Sequence, residues 1–104
     1  MVRALVMDRE DNVATLIDAG KAGDRCHLKG PGGGEVILRA DIPYGHKIAI
    51  KPIAEGGTVM KHGQDIGVTN ASIGVGEHAH VHNVESRRGR GDKHKLQSAQ
   101  ARKS

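Results

Sequence analysis

The chain has 104 residues, one Cys, one Tyr and no Phe or Trp. That suits one small domain with an aliphatic core, and it excludes an internal disulfide and an aromatic platform for stacking bases. The formal charge of +4 belongs to one end: residues 1–86 carry 9 Lys/Arg against 11 Asp/Glu, whereas residues 87–104 carry 7 Lys/Arg against Asp92 alone.

In chain order, strands are expected at residues 4–8, 12–16, 24–29, 35–40, 46–51, 58–61, 66–70 and 77–83, because short apolar or alternating runs there are bounded by turn residues. Val36 and Leu38 oppose Ile37 and Arg39, and His46, Ile48 and Ile50 face away from Lys47 and Lys51. Cys26 beside His27 reads as a small buried thiol, since adjacent strand residues point to opposite faces. No segment carries a helical apolar stripe, and fifteen glycines argue against long helices. The Gly30-Pro31-Gly32-Gly33-Gly34 run is a loop; no Lys-Ser/Thr pair or helix follows it, so a nucleotide site is not expected.

One element recurs. Ile17-Asp18-Ala19-Gly20, Ile42-Pro43-Tyr44-Gly45, Ile53-Ala54-Glu55-Gly56 and Ile73-Gly74-Val75-Gly76 each place Ile three residues before Gly. The pattern predicts a core-anchored Ile, a tight turn with positive φ at Gly, and then a strand. The fold class expected is all-β, built of short strands and hairpins.

Residues 87–104 have one large apolar residue, Leu96, and are expected to form a basic disordered tail after a domain spanning residues 1–86. Such a tail can hold RNA by charge, but the body offers bases no platform, so a nucleic-acid partner is not expected. No apolar run approaches the roughly 20 residues that cross a bilayer. There is no basic-then-apolar leader, so a cytoplasmic protein with no membrane partner is expected.

The most informative stretch is Glu77-His78-Ala79-His80-Val81-His82-Asn83. If extended, it aligns His78, His80 and His82 on one face, with Ala79 and Val81 on the other. Such a row suits acid–base work, metal binding or anion binding; the plainer alternative is an exposed polar strand face. Residues two apart on a strand lie roughly 6.6 Å apart and residues four apart about 13 Å. With metal–nitrogen bonds of about 2 Å, a straight strand gives one ion at most two of the rings.

From residue 40 onward the chain resembles a known family. Asp41-Ile42-Pro43-Tyr44-Gly45-His46-Lys47-Ile48-Ala49, Lys61-His62-Gly63-Gln64-Asp65-Ile66-Gly67 and Gly76-Glu77-His78-Ala79-His80-Val81-His82-Asn83 are similar, in that order, to the amino-terminal domain of altronate and galactarate dehydratases. They also resemble the small subunit of sulfolactate sulfo-lyase. The resemblance implies an all-β, SAF-type β-clip fold and a sugar-acid lyase whose catalytic bulk lies in a much larger domain or a separate large subunit. It further implies a divalent metal, iron or manganese, and a hydroxylated sugar-acid substrate.

On this basis His78, His80 and His46 are the candidate catalytic residues, and His78 and His80 the candidate metal ligands. His82 and Asn83 are candidate substrate-binding residues, although Asn83 could equally end the strand. Lys47 should face away from His46; His62 reads as a turn residue, and His27 and His94 as structural and tail residues. The isolated chain is expected to be inactive, and apolar strand faces left without the large partner would favour a homo-oligomer. The competing reading is a carbohydrate or sugar-acid binding module without catalysis.

Overall fold

The computed structural model describes residues 1–86; the segment expected to be a basic tail lies outside the described residues. Every regular element described is a strand: β1 (Val2–Leu5), β2 (Val13–Leu16), β3 (Arg25–Lys29), β4 (Glu35–Ile37), β5 (Lys47–Ala49), β6 (Thr58–Lys61), β7 (Gln64–Thr69), β8 (His78–Ala79) and β9 (Val84–Ser86). They form a six-stranded sheet ordered β4-β3-β1-β2-β5-β8 and a three-stranded sheet ordered β6-β7-β9. All pairings are antiparallel except β1 with β3. The all-β class is as the sequence predicts.

Burial follows the strand alternation where it was clean. Val36 and Leu38 are buried, while Ile37 is 49% exposed. Cys26 is buried too, and burial first, then Asp18, pushes its thiol up to about 11, which makes it a packing residue rather than a nucleophile. One core gathers Val2, Leu16, Leu38, Ile42 and Ile48. The second gathers Val13, Ala49, Ile53, Val59, Ile73 and Ala79, with Ile66 and Val84 at its margin.

The repeated turns explain how such short strands are ordered. Pro43–His46, Ala54–Gly57 and Gly74–Glu77 each close with an N–H donated back to the first residue's carbonyl, and Gly45, Gly56 and Gly76 supply φ of 83°, 79° and 88°. The first copy departs from expectation. Its turn is Lys21–Asp24 with Gly23 at φ 92°, so Gly20, not Ile17, occupies the anchor position. A Cβ there would press on the buried Leu38 side chain, which would have to shift to make room. The anchors then pair with one another: Gly20 with Ile42, and Ile53 with Ile73, each through two hydrogen bonds of 2.8–2.9 Å.

Two adjacent residues join the sheets. Asp11, 1% exposed, accepts N–H bonds from Met7 (3.1 Å) and Asp8 (3.1 Å) in the β1–β2 loop and from Gly63 (2.8 Å) in the β6–β7 turn. Burial alone would raise this carboxyl, but the amides of Gly63, His62, Met7 and Asp8 outweigh it and hold it below the usual carboxylate range. Asn12 donates its side-chain N–H to the Thr58 carbonyl (2.8 Å) and accepts the Met60 N–H (2.8 Å). The Asp11 contact also needs a tight β6–β7 turn, which His62 and Gly63 make with φ of 55° and 72°. His62 is thus the turn residue that the sequence predicts.

Asp11→Ala leaves three amides without their charged acceptor, and is expected to cost roughly 3 kcal/mol, seen as a fall in Tm of about 15 °C. Asp11→Asn should cost less. A calorimetric scan that places Asp11→Ala within a degree or so of the parent would show that the clamp contributes little.

Candidate functional site

The histidine segment does not run as one strand. β8 stops at Ala79, residues 80–83 turn, and the chain leaves as β9, a strand the sequence did not signal. Asn83 causes the turn. Its side-chain oxygen accepts the His80 N–H (2.9 Å), its amide donates to the His78 carbonyl (2.8 Å), and its own N–H donates to the His80 carbonyl (3.0 Å). Local bonding of an Asn side chain to nearby backbone competes with the extended ladder and wins here. Both ends of the Asn83 side chain are thereby engaged within the loop.

The turn corrects the expected row. Instead of three rings along one face, His78 and His80 fold back onto His46, which enters from the Pro43–His46 turn just before β5. β5 and β8 are paired with Ile48 opposite His78 and Lys47 opposite Ala79, and this register brings the two segments together. His46 Nδ1 and His78 Nε2 share a hydrogen bond of 2.9 Å, one donating and the other accepting. The His46 and His80 rings stack at 4.0 Å between centroids, and His78 and His80 at 5.4 Å. One ligand atom from each of the three lies within 4.8 Å of the others.

His82 stays outside this triad. It is exposed, and its ring is tilted 48° against that of His78 at 5.2 Å. Val81, expected on the face opposite the histidines with Ala79, sits at the turn and is 80% exposed. Ala79 is fully buried in the second core, as alternation predicts. Glu77 accepts the Gly74 N–H (2.8 Å), closing its own turn.

The cluster is electrically distinctive. Burial, then the charges of His82, His46, His80 and Lys47, lowers the His78 ring below the ordinary histidine value. Burial, then His46, Lys47 and His82, does the same to His80. Rings held neutral keep lone pairs for a proton or an ion. His80 Nδ1 is buried and has no hydrogen-bond partner among the described residues. An unsatisfied buried nitrogen is costly and marks a position that a ligand can complete.

Sequence reasoning placed Lys47 away from His46 and gave it no role. In the structure it lines a pocket of about 170 Å³ with His80, Ile66, Val81, Val84 and Ser86. Burial, and then Lys61, lowers its ammonium group below the usual lysine value. His80, whose ring stacks on His46, borders this pocket as well, a proximity that no alternation pattern signals.

The family model for the SAF domain of altronate/galactarate dehydratase matches residues 2–87. The chain is 36% identical over 78 residues to an altronate dehydratase of Bacillus subtilis (strain 168), which is 75% of this chain and 15% of that protein. It is 55% identical over 47 residues to the (2R)-sulfolactate sulfo-lyase subunit alpha of Chromohalobacter salexigens, covering 45% of this chain and 50% of the subunit. The corresponding subunit of Paracoccus pantotrophus is 46% identical over 53 residues, 51% of this chain and 79% of the subunit. The chain thus spans a small part of the altronate dehydratase and half or more of the sulfo-lyase subunits.

The lowered rings set a pH dependence for the metal-free chain. Below the ordinary histidine value of 6.5, the unfolded chain takes up protons that folded His78 and His80 resist. Their contribution is therefore complete above that value and is lost as the pH falls through the folded-state values. Denaturant titrations at about pH 8 and about pH 5 in chelating buffer should show a smaller drop in stability for the His78→Ala/His80→Ala double variant than for the parent. An equal drop in both would count against the burial of these rings.

Proposed function

The chain belongs to the SAF domain family of altronate and galactarate dehydratases, and on that premise we propose that it is the small component of a lyase for hydroxylated sugar acids. It brings His46, His78 and His80 to a site completed by a large catalytic subunit or domain. The convergence of three imidazoles on one point carries this reading.

Eliminating water from a hydroxy acid requires loss of the proton α to the carboxylate and departure of a β-hydroxyl. The first needs a base and the second an acid, and neutral imidazoles with vacant lone pairs can serve as either near neutral pH. His46 and His78, already sharing one proton, can pass it between them. His82, exposed beside His78, is placed to exchange a proton with the solvent or the leaving group. Asn83 holds the loop that aims His80. The domain has little depth in which to exclude water, so the reaction chamber needs walls from the larger partner.

The donor set also fits a divalent ion. Three imidazoles that each bring a nitrogen within 4.8 Å of the others, in a cluster that also holds the unpartnered Nδ1 of His80, suit a metal that keeps positions for substrate. His46, His78 and His80 would hold it, and the ion would supply a Lewis acid for the substrate carboxylate and the charge that develops next to it. An imidazole set favours iron over manganese, which prefers oxygen ligands. The higher identity to the sulfo-lyase subunits supports a second reading of the same site, in which the leaving group is sulfite.

Titration of the chain with Fe(II), under exclusion of oxygen, is expected to give one bound ion per chain, with loss of binding in His46→Ala, His78→Ala and His80→Ala. Combined with the large lyase subunit, the chain should convert a sugar acid to the 2-keto-3-deoxy product, whereas His78→Ala or His80→Ala should lower kcat by about a hundredfold or more. Undiminished turnover with all three histidines replaced would overturn the assignment.

A further inference from the structure

We propose that Lys47 is the anchor of an anion subsite beside His80, which takes the carboxylate or sulfonate end of a small acid. The inference deepens the lyase reading by assigning the group that recognises substrate charge, and it uses a residue outside the imidazole triad.

Three observations carry it. The first is an uncompensated cation: Lys47 is half-buried, yet the described ion pairs are Arg3–Asp18 and His27–Glu35, and neither involves it. A part-buried ammonium without a counter-ion is unfavourable unless a ligand brings one.

The second is the lining. Around Lys47 and His80 the pocket walls are Ile66, Val81, Val84 and Ser86, so a charged group at Lys47 would leave its carbon chain against a largely aliphatic surface. The third is size and place. At about 170 Å³ the pocket is below the roughly 300 Å³ typical of complete small-molecule sites, so it accommodates one end of a ligand. His80 belongs to both the pocket wall and the stack on His46, so carbons next to the anchored anion lie towards the imidazoles. The acid is thereby oriented with its reacting carbons at the triad.

The test uses the full chain in chelating buffer, titrated with glycolate and with methanesulfonate, with ethylene glycol as the uncharged control, and is read by NMR chemical shifts. Saturable shifts centred on Lys47, His80 and Val81 are expected with both anions and not with the glycol. The tighter of the two anions identifies the headgroup preferred. Lys47→Met should weaken binding by about tenfold or more, the scale of one charge-assisted hydrogen bond. Lys47→Arg should retain binding, and so should Lys51→Met, which removes a cation that lines a different pocket and donates to the Arg9 carbonyl. An unchanged amide spectrum elsewhere in Lys47→Met confirms its fold.

Equal affinity in Lys47→Met, the absence of saturable shifts, or shifts centred on Arg9 and Lys51 would overturn the subsite. Failure of the metal reading is separable. Anion binding that depends on Lys47 in a chain that takes up no Fe(II) supports this subsite while removing the metal, and Fe(II) uptake with no dependence on Lys47 does the reverse.

Discussion

Two consecutive polar side chains tie the second sheet to the first beside the core that both share, and the span of the histidine loop depends on that junction. Asp11 gathers amides from both the β1–β2 loop and the β6–β7 turn, and Asn12 bonds β6 on its two sides. β8 belongs to the larger sheet and β9 to the smaller one, so the residues between them, 80–83, bridge the two. Were the sheets free to slide, the loop would have no defined span and His80 no defined direction. Gly67 tightens the same arrangement, because any Cβ there would collide with the Glu85 carbonyl of β9.

A small domain without aromatic packing must obtain order from short-range devices. Here the device is one turn used four times, with its anchors bridged in pairs. The copies at Pro43–His46 and Gly74–Glu77 launch β5 and β8, which pair directly. His46 closes one of these turns, and His78 follows the other. The site thus arises where two copies of a structural element meet and carry different side chains.

Much of this was legible in the residues. Alternation located eight of the strands to within a few positions, and the spacing of Ile and Gly located three of the four turns. The first turn lies three residues beyond the one expected because Ile17 resembles an anchor, while the residue that takes the anchor's place in the bridge to Ile42 is Gly20, packed against Leu38. The family motifs singled out His46, His78, His80, His82 and Asn83; the aligned row was expected if the segment is extended, and the strand stops at Ala79. A strand of alternating residues and a strand cut short by an Asn side chain look alike in sequence until the loop's hydrogen bonds are known. β9 was missed for a related reason: Val84-Glu85-Ser86 is too short and polar to show a period, and it is a strand because β7 offers it an edge. Lys47 followed the same logic, since His80 borders its pocket from outside its own strand.

Tyr44 sits within the Pro43–His46 turn, two residues before His46, and is 71% exposed. It is also the chain's only aromatic ring outside the histidines. The intrinsic ultraviolet fluorescence of this chain therefore issues from a single exposed phenol, carried by the turn that ends at His46. One emitter at one known position turns the brightness of the whole chain into an optical readout of that turn.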